Sequence, residues 1–259
     1  MTGNTIGFIG GGRVTRIILE GFKRKGKLPE EIIVSDTNIE ILNGLKERFP
    51  QIRIFPNDNT QPALMDIVFV ALHPPVVSGV LGEIKTCLKA DATIISLVPM
   101  ISITSLSELL GEFQRIVRMI PNAPSVVNAG YNPVAFSRAF TEKEKDQLIN
   151  ILSVLGECPE VAEEKLEAYA ILTAMGPTYL WFQLCELQEI GKSFGLTSEE
   201  VADGISKMVQ GTAKSLFESG LSSSEVMDLV PVKPLGDEEE NITNIYRTKL
   251  EGLYKKLKG

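Results

Sequence analysis

The chain has 259 residues, room for two domains or one large one, and its 44% hydrophobic and 23% charged residues are ordinary for a globular enzyme. A net charge of -7, from 26 basic and 33 acidic side chains, repels phosphate backbones and argues against a nucleic-acid partner. No apolar run approaches the ~20 residues that span a bilayer, and one histidine with three scattered cysteines builds neither a metal site nor a disulfide framework.

Met1-Thr2-Gly3-Asn4 runs directly into an apolar segment without a basic leader, so a cytoplasmic location is expected. Residues 5–9 read as a short buried strand, and Gly10-Gly11-Gly12 follows at once. Val14, Ile17, Ile18 and Phe22 recur at helical spacing and predict a helix over 13–25. A second strand covers 32–34 and ends at Ser35-Asp36; Ile39, Ile41, Leu42 and Leu45 mark a second helix. Further strands are predicted over 52–55, 66–71, 93–97 and 115–119. Their nearly continuous apolar character and their alternation with helices predict a doubly wound parallel sheet.

The pattern changes after about residue 140. Thr141 with Glu144 fits a capping box, and Leu148, Ile149 and Leu152 continue the helix. From Glu163 onward nearly everything reads as helix: one starting at Pro177 and closing at Gly195, one capped by Thr197 or Ser198 and closing at Gly220, a short one over 222–230, and a last one over 237–257. The domain boundary is therefore expected at 161/162, with residues 1–161 binding a nucleotide and 162–259 forming an all-helical domain. Leu180-Trp181-Phe182-Gln183-Leu184-Cys185 is bulky around several sides of its helix, which predicts burial against a second copy of the chain.

Gly10-Gly11-Gly12-Arg13-Val14-Thr15 matches G-x-G-x-x-small between a strand and a helix. Gly10 allows the tight turn, Gly12 lets a pyrophosphate approach the backbone, and the following helix offers free N–H groups and its positive dipole end. Together with Asp36 closing the second strand, this context predicts a Rossmann-type dinucleotide site. Asp36 with Ser35 suits the adenine ribose and favours NAD over NADP, while Arg13 offers a positive charge in the opposite sense. Ligands bind beyond the C-terminal ends of parallel strands, so Ala71-Leu72-His73-Pro74 and the loop carrying Met100 are expected at the same edge.

At this point the chain resembles the pyrroline-5-carboxylate reductase family over nearly its whole length. Gly7-Phe8-Ile9-Gly10-Gly11-Gly12-Arg13-Val14-Thr15 resembles that family's G-F-I-G-x-G-N-M-A, and Leu72-His73-Pro74 its V-K-P turn. Arg118-Met119-Ile120-Pro121-Asn122-Ala123-Pro124 is similar to R-x-M-P-N-x-P, and Thr173-Ala174-Met175-Gly176-Pro177-Thr178-Tyr179 in part to S-G-S-G-P-A-Y. The resemblance implies a Rossmann domain, a helical dimerisation domain, and hydride transfer from NAD(P)H to a cyclic imine such as 1-pyrroline-5-carboxylate, giving proline. It also implies that Asn122 lies by the nicotinamide or substrate, and Asn122, Thr173 and Thr178 are the candidate catalytic residues.

The substrate side departs from the family. Its S-P-G-G-x-T loop, whose N–H groups and hydroxyls hold a carboxylate, stands here as Val230-Pro231-Val232-Lys233-Pro234-Leu235-Gly236-Asp237, leaving Lys233 as the one point charge for an anion. Val98-Pro99-Met100 replaces A-A-G. These departures keep open a different imine or carbonyl substrate. They also keep open a non-catalytic NAD(P)-binding dimer and an enzyme like the F420-dependent NADP oxidoreductases.

Overall fold

Strands that are apolar on both faces need cover on both faces, and the computed structural model, which describes residues 5–258, supplies it with two layers of helix. Residues 1–4, which bear on the expectation about a leader, lie outside the described residues, as does residue 259. By its internal contacts the chain divides into two compact units, residues 1–175 with 254–259, and residues 176–253.

The first unit alternates strand and helix: β1 (Ile6–Ile9), α1 (Arg13–Arg24), β2 (Ile32–Asp36), α2 (Ile39–Arg48), β3 (Arg53–Pro56), α3 (Thr60–Ala63), β4 (Ile67–Val70), α4 (Pro74–Ile84), β5 (Thr93–Ser96), α5 (Ile103–Leu109) and β6 (Ile116–Met119). After a 3-10 turn at Ala123–Val127 come β7 (Gly130–Tyr131), β8 (Val134–Phe136), α6 (Glu142–Leu152), β9 (Gly156–Glu157) and α7 (Leu166–Tyr169). The main sheet has the order β3-β2-β1-β4-β5-β6-β8, parallel except for β8, which runs antiparallel to β6. Its strand order reverses between β1 and β4, the switch point at which such sheets bind ligands.

Period-two alternation sorts the strand side chains onto two cores. Ile6, Phe8, Val34, Phe69 and Val117 meet Ile18, Phe22, Leu42 and Leu152 on one face. Ile9, Ile33, Val68, Val70 and Ile94 meet Val77, Leu81 and Leu106 on the other. Phe8 and Phe69 stack across β1 and β4 with centroids 4.8 Å apart, directly beneath the switch point.

The helix ends obey local chemistry. Asn38 caps α2 by accepting from the Glu40 and Ile41 amides, and Thr141 with Glu144 forms the expected box on α6. The antiparallel β8 and the small β7–β9 ladder were not legible in the hydrophobic pattern, because two or three residues carry no period.

By internal contacts the division falls at 175/176, whereas the sequence pattern places it at 161/162; a buried ion pair helps hold the intervening segment to the first unit. Arg118 on β6, its side chain 4% exposed, donates to Glu163 Oε1 (3.0 Å) and Glu167 Oε1 (2.6 Å). Leu166 and Ala170 join Ile120 and Ala135 in a third apolar cluster. The segment after residue 161 is thereby part of the first unit.

The second unit comprises α8 (Gly176–Ser193), α9 (Ser198–Glu218), α10 (Ser223–Asp228) and most of α11 (Glu239–Lys258). Thr197 and Ser222 form capping boxes on α9 and α10, and α8 meets α9 where Gly191 faces Val201. Val201 is the one buried hydrophobic residue among the described residues of this unit. No described helix is long and apolar enough to cross a membrane.

Candidate nucleotide-binding and active site

The glycine turn sits at the C-terminal tip of β1, on the switch point. Gly10 adopts φ +102, and a Cβ there would stand 2.3 Å from the Ala71 carbonyl oxygen, so only glycine fits. Gly12 differs: a Cβ would meet nothing within 4 Å. Protein packing makes no demand for glycine at this position, which leaves room for a ligand to approach the backbone. Gly12 is also the N-cap of α1, with no side-chain cap and no acidic residue in the first turn. The first N–H groups of α1 are thus left without the side-chain acceptors that α2, α6 and α9 have, as a diphosphate requires.

Thr15, standing where the family pattern has alanine, is fully buried, and its hydroxyl donates to the Gly10 carbonyl at 2.6 Å. A larger side chain is accommodated because it ties the turn it would otherwise push away. Val14 is half-buried beside it. Asp36 is half-buried; its carboxylate accepts from the Gly11 amide (2.7 Å) and the Asn38 amide (2.8 Å), which fixes it against the glycine turn. Ser35 is fully buried, its hydroxyl donating to Asn59 Oδ1 at 2.8 Å.

A cleft of about 320 Å³ opens from the turn between α1 and α2, lined by Gly11, Gly12, Arg13, Arg16, Glu40 and Arg48 among others. Arg13 and Arg16 are exposed on successive turns, whereas Arg48 pairs with Glu20. Arg16 escaped the sequence reasoning, although its spacing of three from Arg13 is the signal that puts both on one face.

The other expected loops reach the same edge of the sheet. Ala71 and Leu72 are half-buried, while His73 and Pro74 are exposed at the start of α4, with His73 as its N-cap. Met100 adopts φ +68 and is 53% exposed. It lines a second cleft, of about 330 Å³, with Ser102, Arg118, Glu163 and Glu167.

Asn122 follows β6 and is 5% exposed. Its Nδ2 donates to the Thr173 carbonyl (2.5 Å), its Oδ1 accepts from the Tyr131 amide (3.4 Å), and its own amide donates to Asn132 Oδ1 (2.8 Å). The Thr173 hydroxyl donates back to the Tyr169 carbonyl at 2.8 Å. The structure therefore joins Asn122 to Thr173 through the backbone of Thr173. Thr178 is exposed in the first turn of α8, and Lys233 is exposed in the proline-rich loop; both belong to the second unit. Asn132, unmarked by any motif, is the hub of the buried polar network, since it also accepts from the Ser125 hydroxyl (3.0 Å). No group of three or more His, Cys, Asp or Glu side chains among the described residues is placed to hold a metal ion.

A parallel sheet with this strand order, a glycine turn at its switch point and an uncapped helix beyond it defines a Rossmann-type dinucleotide-binding domain, here followed by a helical unit. Residues 5–99 match the family described as NADP oxidoreductase, coenzyme F420-dependent. Over its whole length the chain is similar to a pyrroline-5-carboxylate reductase structure from Coxiella burnetii: 30% identity, coverage of 99% of this chain and 95% of that one, and a TM-score of 0.71. It is 26% identical over 226 residues to the pyrroline-5-carboxylate reductase of Escherichia coli, covering 87% of this chain and 84% of the relative. The Plasmodium falciparum pyrroline carboxylate reductase with NADP bound has the same fold, with a TM-score of 0.82 at 20% identity, covering 100% of this chain and 98% of that one. The chain belongs to the pyrroline-5-carboxylate reductase family, a family of NAD(P)-dependent oxidoreductases acting on a C=N bond.

Proposed function

We propose that this protein uses NAD(P)H to reduce the C=N bond of a small cyclic imine, with 1-pyrroline-5-carboxylate as the first substrate to test and proline as its product. The observation that carries the reading is Gly12: open space where a Cβ would be, at the uncapped start of α1, on the switch point of the sheet. Gly10, Gly11, Gly12, Arg13, Val14 and Thr15 form the diphosphate loop in this reading, and Asp36 the adenosine end, with the buried Ser35 hydroxyl held behind it by Asn59. Ala71, Leu72, His73 and Pro74 form the rim beneath the nicotinamide. Bound NAD(P)H supplies the hydride, and a protonated imine is already electrophilic. The protein's share is chiefly positioning, which suits a rim without a histidine–carboxylate pair.

Coenzyme choice rests on opposed charges. Asp36 favours NAD, and Arg13 with Arg16 favours the extra phosphate of NADP. The F420-dependent alternative draws on the family match, but that match ends at residue 99 and leaves the helical unit unaccounted for. The altered loop with Val230, Val232, Lys233 and Leu235, together with Met100 and Thr178, is the feature that favours an imine other than the usual one.

A homodimer is part of the same proposal. Trp181, Phe182, Phe194 and Phe217 are 50%, 68%, 79% and 80% exposed, in a unit with one buried hydrophobic residue among those described. So much apolar surface on four helices calls for a second copy to cover it. The test of function is oxidation of NADH and NADPH in the presence of 1-pyrroline-5-carboxylate and of other five- and six-membered cyclic imines. Turnover of one of them is expected; coenzyme binding without turnover of any would favour the non-catalytic reading.

A further inference from the structure

Asn122 ends in an amide with one N–H and one oxygen lone pair engaged by main chain. Its Nδ2 serves the Thr173 carbonyl (2.5 Å) and its Oδ1 the Tyr131 amide (3.4 Å). The Thr173 carbonyl has a particular need of that donor. In a regular helix it would accept from the residue four ahead, which is Pro177 and has no N–H. The same stretch, Ala170–Ala174, is wound as a π-helix, with the Met175 amide donating to the Ala170 carbonyl five residues back (3.0 Å). Such π-turns are uncommon and recur at functional sites. Asn122 itself lies just beyond the C-terminal end of β6, at the edge where ligands of this fold bind.

We infer that Asn122 is a positioning residue: its carboxamide locks the Thr173 carbonyl and the Tyr131 backbone at the rim of the sheet, and it acts on the reaction through them without touching the reacting atoms. The inference rests on the proposed reductase reading and revises the role that the family resemblance implies for Asn122. Orientation of the amide is decisive. Turned over, it would set its oxygen against the Thr173 carbonyl and its NH2 against the Tyr131 N–H, two repulsive contacts at a part-buried site. Displacements of about 1 Å at a rim that holds a hydride donor against its acceptor cost roughly 100-fold in rate.

The Asn122→Asp variant tests this directly. It keeps the acceptor for Tyr131 but sets a carboxylate oxygen against the Thr173 carbonyl. Protonation restores a donor at that atom, and a carboxyl ionises near ~3.9 or higher where burial opposes its charge. The ionisable groups around the network are Tyr131, Tyr169, Glu157 and Cys158. Burial pushes Tyr131 up and Cys158 to about 12, away from the acid range. At neutral pH the variant is expected to lose at least about tenfold in kcat, with the Kd for NAD(P)H within about threefold of wild type. Its kcat relative to wild type should then recover as the pH falls toward the carboxyl range.

A flat ratio across pH, or wild-type kcat in Asn122→Asp, would overturn the inference. If the acidic variant does not fold, Asn122→Ala is measured instead. A kcat at least about tenfold lower with coenzyme Kd preserved is expected, and unchanged kcat, or a loss confined to coenzyme Kd, overturns the inference. A wild-type protein that binds coenzyme but turns over no imine strikes at the reaction assignment. A wild-type protein that turns one over, with variants that match it, strikes at Asn122 alone.

Discussion

Gly10 and Gly12 are both glycine for different reasons, and the difference can be measured. Gly10 is demanded by the chain itself, through positive φ and the Ala71 carbonyl, so Gly10→Ala should cost stability as well as binding. Gly12→Val places its Cβ in open space. Its melting temperature should stay within roughly two degrees of wild type, because no protein contact is strained. Its Kd for NAD(P)H should rise at least about tenfold, since loss of one good phosphate approach is worth more than about 1.4 kcal/mol. Equal affinity in wild type and Gly12→Val would remove the diphosphate from this turn. At the same scale, Arg13→Ala with Arg16→Ala is expected to weaken NADPH several-fold and leave NADH nearly unchanged, as competitive binding of 2′,5′-ADP against ADP would report.

Elements are joined by two charged contacts of opposite character. Arg118 is buried between Glu163 and Glu167 and ties β6 to the segment leading into α7. Arg118→Met removes the cation and leaves Glu167, 8% exposed, without it; about 3–5 kcal/mol of destabilisation is expected in urea unfolding. Glu144 on α6 is half-buried, and the Thr141 hydroxyl and amide, with Arg115 beside them, hold its carboxyl at about 2 against an ordinary 4.5. A depressed carboxylate stabilises the fold fully above its ordinary value and loses that contribution as the pH falls through its folded value. The melting-temperature difference between wild type and Glu144→Gln should therefore shrink from about pH 4.5 toward about pH 2. A difference independent of pH would show that the capping box contributes nothing through its charge.

Much of this level was legible beforehand, because β1, the glycine turn and α1 declare themselves within twenty residues, and Thr141 with Glu144 within four. What escaped depends on partners far away in sequence. β8 is three residues long and is defined by β6; the π-turn at Ala170–Ala174 keeps the hydrophobic spacing of a helix; Asn122 meets Thr173 51 residues later. The Ser35 hydroxyl, expected at the adenosine end, faces inward to Asn59, a contact that no local motif encodes.

For the whole molecule, the two units stand on different physical footing. The first has three apolar clusters and its own buried ion pair. The second has four helices, well-made caps and almost nothing buried. Its stability is expected to come from association, so the melting temperature should rise with protein concentration, and light scattering should return at least twice the chain mass. Phe182→Asp should abolish that dependence and yield a less stable monomer; a protein that is monomeric at all concentrations would refute the dimer.

The third apolar cluster has one further consequence. Leu257, almost the last residue described, packs against the group formed by Ile120, Ala135, Leu166 and Ala170. Domains fold as units, N-terminal first, during synthesis, but this corner waits for a side chain made more than eighty residues after its other members. A nascent chain paused anywhere in the helical unit would leave that corner uncovered beside Met100.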